Sequence, residues 1–221
     1  MKFLTIITFL TILILPFLLF LLVLNFVVFG NLFYKEKFLE YGVQEDIPEA
    51  VLLHEKIINF VKGRDNRLPN EFNEREKQHL LDVKRAIRNS TIMLYFLAFL
   101  FGLLLLISAF ALKNKDKIMN FAGKVLVFGG FLTIMLAAAL SFSIASDFSA
   151  TFESFHGLFF ERGTYIFDPA KDVIVRLYPE QLFMDLGLRI SKGVVLASAA
   201  TILVGGFLIL KSKNKKNKKI R

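Results

Sequence analysis

Residues 3–34 read FLTIITFLTILILPFLLFLLVLNFVVFGNLFY, a run without a charged side chain between Lys2 and Lys35. A helix needs about 20 consecutive apolar residues to cross the hydrocarbon core of a bilayer, and this run is longer than that. Hydrophobic residues make up 55% of the chain, and phenylalanine alone occurs 26 times. The composition indicates an integral membrane protein whose first span covers residues 3–33.

Three further apolar runs follow, at about 91–112, 118–146 and 193–210. Each is near or above the length of a spanning helix. We therefore predict an all-α integral membrane fold with four transmembrane helices, in a single membrane domain over residues 1–221. The first run is longer than the apolar core of a signal peptide, about 7–15 residues, and no Ala-x-Ala pattern follows it, so we expect it to stay attached.

Charge near the span ends predicts the orientation. The tail at 211–221 is basic without any acidic residue, and the connection at 113–117 is net positive, whereas residues 147–188 carry more acidic than basic side chains. Lysine and arginine favour the cytoplasmic side, so both termini are predicted to be cytoplasmic. The two polar segments, 34–90 and 147–190, then lie on the extracytoplasmic face.

Charge and motif content also narrow the possible functions. Much of the net charge of +9 lies in the tail without an aromatic-basic pattern, so we expect no nucleic-acid partner. The absence of cysteine excludes a disulfide framework, a thiolate metal site and a cysteine nucleophile. No cofactor or phosphate motif is present, and His54, His79 and His156 lack the close spacing of a zinc site. We expect neither a cofactor nor a metal.

The segment 34–90 is predicted to contain two helices. The start signal Asp46-Ile-Pro-Glu49 precedes a helix from Ala50 to Val61 that stops at Gly63. His54 lies near the apolar stripe of this helix, a position typical of a packed histidine.

The second helix of this segment carries the more distinctive histidine. Asn73, with Glu76 three residues on, is typical of a capping box at a helix start. Helical spacing places Glu76, His79 and Asp82 on one face. Flanking carboxylates would set the tautomer and the basicity of the imidazole, although a surface helix with ordinary ion pairs fits the same spacing.

The segment 147–190 is predicted to begin as an extension of the third span, because phenylalanine recurs there at helical spacing, at Phe148, Phe152, Phe155 and Phe159. His156 lies beside this stripe, at about the depth of lipid ester carbonyls. Burying a histidine among phenylalanines costs free energy unless it has a partner or a role. Further on, two β-prone runs at 164–167 and 173–178 flank a turn at 168–172, which predicts a small β-hairpin.

Four stretches together resemble the bacterial lipoprotein intramolecular transacylase family of four-span membrane proteins. They are Phe72-Asn-Glu-Arg-Glu-Lys-Gln-His79-Leu-Leu-Asp-Val-Lys84, Phe155-His156-Gly-Leu-Phe-Phe160, Phe167-Asp-Pro169 and Leu177-Tyr-Pro-Glu180. The resemblance implies an acyltransferase of the outer membrane face. Such an enzyme moves the sn-2 acyl chain of a diacylglyceryl-modified N-terminal cysteine to the α-amino group, which yields a lyso-form lipoprotein.

The resemblance places the two essential histidines of the family on His79 and His156. Our hypothesis is that His156 is the general base, and that His79, supported by Glu76 and Asp82, shuttles the proton or stabilises the oxyanion; the two histidines can also exchange roles. Further candidates for substrate contacts are Phe155, Phe159, Arg162 and Arg176. An attacking α-amine of pKa about 8 requires no acyl-enzyme, which leaves Ser154 as a weaker alternative nucleophile.

The expected partners are diacylglyceryl-modified lipoproteins and membrane lipid, and nothing indicates the oligomeric state. Two other classes stay open. A structural or regulatory four-span protein explains the spans and the polar segments without chemistry. A lipid transporter is disfavoured, because Lys124 is the single charged residue within the predicted spans.

Overall fold

The computed structural model describes residues 2–161 and 163–218. Over those residues the chain forms nine helices and no strand. They are α1 (Lys2–Val27), α2 (Asn31–Glu40), α3 (Val43–Asp46), α4 (Ala50–Val61), α5 (Glu74–Leu112), α6 (Lys115–Ser146), α7 (Phe148–Phe159), α8 (Val173–Leu177) and α9 (Glu180–Lys218).

Four helices, α1, α5, α6 and α9, are long and apolar enough to cross a membrane. The predicted all-α fold with four transmembrane helices is thereby confirmed. The chain divides into two compact units. We call residues 2–24, 92–141 and 190–218 the apolar unit, and Asn25–Thr91 with Phe142–Arg189 the polar unit.

Close contacts between α6 and α9 in the apolar unit depend on glycine. A Cβ atom built on Gly123 would lie 2.7 Å from the carbonyl oxygen of Gly205, and one built on Gly205 would lie 2.7 Å from the carbonyl oxygen of Gly123. Helices in lipid associate through van der Waals packing rather than a hydrophobic gain, so small residues that let backbones approach are favoured.

Three hydroxyl groups buried in the apolar unit bond within their own helices. Thr11, Thr133 and Ser198 each donate to the carbonyl oxygen four residues earlier, over 2.6 Å, 2.7 Å and 2.7 Å. A polar group without a partner is costly in an apolar environment, and these bonds remove that cost.

The polar unit has its own core. Apolar side chains with at most 3% exposure come from α2, α4, α5, α8 and α9 and from a position two residues before α5: Phe38, Ala50, Leu53, Phe72, Leu80, Leu177 and Leu182. Helix α4 covers the predicted range from Ala50 to Val61, and α2 and α3 precede it. The segment from residue 147 was predicted to extend the third span, but it forms a separate helix, α7, because Asp147 caps it by accepting from the backbone N–H of Ala150 over 2.9 Å.

The prediction of a β-hairpin at 164–178 is wrong. Residues Val173–Leu177 form helix α8, and no described residue of 164–178 is in a strand. Ile174 and Leu177, three residues apart, are the buried side chains of this helix, which is helical rather than strand spacing. The run 173–178 is β-prone in isolation, but burial of one helical face overrides that preference.

Substituting the two neighbouring glycines of α9 by alanine tests the contact between α6 and α9. Gly205→Ala is expected to lower the unfolding temperature in detergent, with an overpacking cost of about 1–3 kcal/mol. Gly206→Ala is the matched control, because a Cβ built there meets nothing within 4 Å. Equal unfolding temperatures for the two variants would show that the close approach is not needed.

Candidate active site

Two histidines distant in sequence meet in the polar unit. The ring centroids of His79, near the start of α5, and His156, in α7, lie 6.3 Å apart with their planes 21° apart. The two residues are only 7% and 8% exposed. The structure thus brings together the two histidines that the sequence analysis singled out.

The orientation of the His156 ring is set by its own helix. Its Nδ1 lies 2.8 Å from the carbonyl oxygen of Phe152, one turn earlier. A carbonyl oxygen can only accept, so Nδ1 carries the proton of the neutral ring. The other ring nitrogen, Nε2, is then left with a free lone pair, which is the state that a general base requires.

The His79 ring lies among aromatic side chains. Its centroid is 5.1 Å from that of Phe160 and 5.4 Å from that of Phe167. Its Nδ1 is buried and has no hydrogen-bond partner among the described residues. A buried nitrogen without a partner is rare and marks a place where a ligand group or water can bond.

Burial keeps both imidazoles neutral. His79 lies in the polar start of α5. Desolvation and, to a smaller extent, the neighbouring His156 lower its pKa to about 4, while the charge of Asp82 opposes the shift. Desolvation also lowers the pKa of His156, against the raising effect of its bond to the Phe152 carbonyl. At pH 7 both rings are therefore available as bases or neutral N–H donors.

Aromatic residues that the sequence analysis did not assign to the site surround the pair. Tyr165 packs on His156 at 5.0 Å between centroids, and Phe160 contacts both histidines. The stretch Phe167-Asp-Pro169 is part of the family resemblance, and this was the one signal for Phe167. The side chains of Phe155 and Phe159 are 53% and 56% exposed, so they offer an apolar surface beside His156.

Glu76 bonds to backbone groups rather than to His79. Its Oε2 accepts from the backbone N–H of Asn73 and its Oε1 from that of Ile174, both over 2.7 Å. Asn73 Oδ1 accepts in return from the Glu76 N–H over 3.0 Å, so the predicted capping box is confirmed. The buried carboxylate joins the start of α5 to the start of α8.

Asp172 strengthens the same junction. It accepts from Asn73 Nδ2 over 2.8 Å and from an Arg75 guanidinium nitrogen over 2.9 Å. The backbone N–H of Asp168 bonds to it over 2.7 Å and is the main reason that its pKa is lowered. These bonds fix the backbone around Asp168. They therefore also fix the neighbouring Phe167, whose ring packs against the His79 ring.

The other predicted site residues have different surroundings. Asp82 accepts from Arg85 over 2.9 Å and acts on His79 through its charge. Arg176 donates to both carboxylate oxygens of Asp46, over 3.1 Å and 3.0 Å. Arg162 lies outside the described residues.

His54 belongs to a separate buried cluster. Its Nδ1 lies 2.9 Å from the hydroxyl of Tyr178, and its ring stacks on Tyr34 at 4.0 Å between centroids. Desolvation, with a smaller contribution from the charge of Lys62, lowers its pKa to about 4. Its surroundings are those of a packed histidine, as the sequence analysis expected.

Comparisons with known proteins agree with this architecture. The sequence profile of the lipoprotein intramolecular transacylase family, Lit, matches residues 9–183. An uncharacterized protein of Aquifex aeolicus (strain VF5) is 26% identical over 137 residues, which are 62% of this chain and 57% of that protein. This chain therefore spans little more than half the length of that relative.

Solved structures share the fold. The membrane integral lipoprotein intramolecular transacylase Lit from Bacillus cereus has a TM-score of 0.79 at 23% identity, over 96% of this chain and 98% of that one. A structure of the same Bacillus cereus protein with one histidine replaced by arginine also has a TM-score of 0.79 at 23% identity, over 97% of this chain and 95% of that one.

Removing the Glu76 carboxylate is expected to destabilise the polar unit. In Glu76→Ala two backbone N–H groups lose their acceptor, at about 1–3 kcal/mol for each that stays buried. Glu74→Ala is the matched control, since the side chain of Glu74 is 91% exposed and, among the described residues, forms an ion pair with Lys77 alone. Thermal unfolding of the purified variants in detergent measures the difference. An equal loss of stability in the two variants would contradict the role of Glu76 in joining α5 to α8.

The buried histidines predict that the free energy of unfolding falls in mild acid. For His54 and His79 the folded pKa of about 4 is below the ordinary 6.5, so between these values the unfolded chain binds more protons. This stability is complete above pH 6.5 and is lost as the pH falls toward 4. Unfolding temperatures should therefore drop from pH 7.5 to pH 5, less steeply in His54→Gln; a pH-independent unfolding temperature would contradict the prediction.

Proposed function

We propose that this chain, which belongs to the lipoprotein intramolecular transacylase family, forms lyso-form lipoproteins. It would transfer the sn-2 acyl chain of a diacylglyceryl-modified N-terminal cysteine to the α-amino group of the same cysteine. The observation that carries the proposal is the pair of neutral, buried imidazoles of His79 and His156 in a multi-pass membrane protein.

The reaction needs no component beyond the substrate and a proton carrier. The α-amino nitrogen attacks the sn-2 ester carbonyl, and the new C–N bond gives a tetrahedral intermediate with an oxyanion. Collapse breaks the bond to the glyceryl sn-2 oxygen, which leaves as an alcohol once it is protonated. The proton lost by the amine is the one that the glyceryl oxygen gains, so a single base that later acts as an acid balances the reaction.

His156 is the proposed base. Its Nδ1–H is held by the Phe152 carbonyl, so its Nε2 can take the proton from the attacking amine and return it to the leaving oxygen. The depressed pKa of this histidine supports the role, because a neutral imidazole at pH 7 is ready to accept a proton.

His79 is the proposed partner of the intermediate. At a pKa of about 4 it is neutral at pH 7, so donation from a neutral ring N–H to the oxyanion is favoured over stabilisation by an imidazolium. A donor in an enclosed aromatic site is worth more than one in water, because the local dielectric is low. Asp82 would act through its charge and Glu76 by holding the start of α5.

Positioning is the other contribution that the site would make. Donor ester and acceptor amine belong to one lipidated cysteine, and orienting such groups can supply about 7–11 kcal/mol of the barrier. The exposed side chains of Phe155 and Phe159 are the proposed contacts for the acyl chains. Apolar contacts there would leave the ester carbonyl near His156.

The proposed location is the extracytoplasmic face of the cell membrane, with both termini in the cytoplasm. The basic tail at 211–221, the positive connection at 113–117 and the acidic bias of residues 147–188 support this orientation. All site residues lie in the two segments that would then be extracytoplasmic.

Replacing either histidine tests the mechanism. His79→Ala and His156→Ala are each expected to lower the rate of lyso-product formation by about 10²–10⁴-fold, the usual contribution of a general acid or base. Mass spectrometry of a lipoprotein N-terminal peptide, from hosts with matched levels of each variant, measures the N-acyl, S-monoacylglyceryl product.

Ser154→Ala is the matched control within α7. Its hydroxyl donates to the Ala150 carbonyl over 2.8 Å, and the variant should keep full activity if the amine attacks directly. A normal rate in both histidine variants would refute the proposed mechanism. Unchanged diacylglyceryl cysteine with the intact, folded chain would instead favour a structural or transport role.

A further inference from the structure

Helix α7 carries His156 but has little packing of its own. Of its twelve residues, all within the described part of the chain, only His156 is buried. The other side chains are half-buried or exposed, and contact with water or lipid does not fix a helix in one place. A helix of this length is also marginal by itself. The position of His156 therefore depends on the few contacts that α7 makes with other elements of the polar unit.

The first of these contacts is between aromatic rings. The ring centroid of Phe183, in the first turn of α9, lies 5.4 Å from that of Phe152, within the range of about 4.5–7 Å that aromatic pairs prefer. The Phe152 ring lies 3.9 Å from the His156 ring, and the Phe152 carbonyl accepts from His156 Nδ1. Phe183 thus contacts the residue that orients the His156 ring.

The second contact is a hydrogen bond between the starts of the two helices. The hydroxyl of Ser149, in the first turn of α7, donates to the carboxylate of Glu180, the first residue of α9. A bond to an ionised acceptor is stronger than one between neutral groups. A negative charge is also favourable near the N-terminus of α7.

The two contacts act together because of their spacing. Ser149 and Phe152 are three residues apart on α7, and Glu180 and Phe183 are three residues apart on α9, so each pair lies on one face of its helix. One point of contact leaves a helix free to rotate. Two points, one turn apart on each helix, fix both the position and the rotation of α7.

Phe183 is itself supported by the buried cluster around His54. The ring centroid of Tyr178 lies 6.1 Å from that of Phe183, and the Tyr178 hydroxyl lies 2.9 Å from Nδ1 of His54, which is 2% exposed. Tyr178 and Glu180 belong to the stretch Leu177-Tyr-Pro-Glu180 of the family resemblance, which takes no part in the proposed proton transfers. Both of these residues lead to α7.

We propose that Phe183 and Glu180 are positioning residues for His156. They hold α7 against the start of α9 and so determine where the His156 ring lies relative to His79. Tyr178, bonded to His54, supports Phe183. The inference rests on the proposed function, in which His156 is the general base, and these residues act on that reaction only through α7.

Kinetics of the purified full chain with a diacylglyceryl-cysteine peptide test the role of Phe183. Phe183→Ala is expected to lower kcat about 10–100-fold with little change in KM, because displacing a catalytic group by about 1 Å can cost that much. Phe183→Leu keeps an apolar side chain against Phe152 and should recover most of the rate.

The hydrogen bond is tested by a second set of variants. Glu180→Ala and Ser149→Ala should each lower kcat about fivefold, and the double variant should be no slower than either, since both changes remove one bond. Glu180→Gln keeps an acceptor and should retain most of the rate. Glu153→Ala is the matched control, because it removes an exposed carboxylate one turn beyond Ser149 on α7, and it should be fully active.

Titration of His156 provides a readout that does not depend on activity. The chain has three histidines, so ¹⁵N-labelled histidine gives few ring signals, which His→Gln variants assign. Burial lowers the pKa of His156. In Phe183→Ala and Glu180→Ala water should reach the ring and raise this pKa toward 6.5, whereas loss of a negative charge alone would lower it. A merely structural role would lower the unfolding temperature without moving the pKa of His156.

The outcomes separate this inference from the proposed function. If the intact chain forms no lyso product, the proposed function fails, and the titration of His156 alone decides the placement of α7. Unchanged kcat and an unchanged pKa of His156 in Phe183→Ala would overturn the inference in an active enzyme, as would equal rates in Glu180→Ala and Glu153→Ala. If Phe183→Ala does not fold, Glu180→Ala, which changes an exposed side chain, gives the answer.

Discussion

The polar unit depends on one buried carboxylate. Glu76 accepts from the backbone N–H groups of Asn73 and Ile174, which are about a hundred residues apart, and it is 1% exposed. A carboxylate in such a place is stable only when its oxygens are bonded, so the two segments cannot separate without stranding it. His79 is one turn beyond this bond on α5, and Phe167, which packs on His79, precedes the helix at the other end of it. The proposed acid/base pair is therefore assembled by a structural bond in which neither histidine takes part.

The second property of the site is that its two imidazoles are shielded from water. Phenylalanine and tyrosine rings surround both imidazoles, and desolvation is the largest cause of each lowered pKa. The same enclosure favours neutral bases in the resting state and strengthens hydrogen bonds to charge that develops during a reaction. It also disfavours a mechanism that begins with a protonated histidine. The chemistry proposed here starts from two neutral rings for that reason.

Sequence reasoning reached some of this structure and missed the rest for physical reasons. The four spanning helices were predictable, because a long apolar run without charge is typical of a helix that crosses a membrane. The Asn73–Glu76 capping box was predictable, because its hydrogen bonds join residues close in sequence. The second oxygen of Glu76 was not, since its acceptor role depends on Ile174 in a distant segment. The run 173–178 was read as a strand, because β-branched residues fit both structures and burial of Ile174 and Leu177 decided for a helix. The resemblance singled out His79 and His156, but the distance between their rings could be learned only from the fold.

The bond from His156 Nδ1 to the Phe152 carbonyl has an evolutionary consequence. In many hydrolytic sites a side-chain carboxylate orients the catalytic imidazole, and a point mutation can delete it. Here the orienting atom belongs to the main chain of α7, so every amino acid except proline that preserves the helix supplies the same carbonyl through residue 152. Substitutions at residue 152 that preserve the helix therefore leave the tautomer of the His156 ring unchanged. Variation in the enclosing aromatic residues can then adjust how the site would fit its proposed lipid substrate without changing which nitrogen holds the proton.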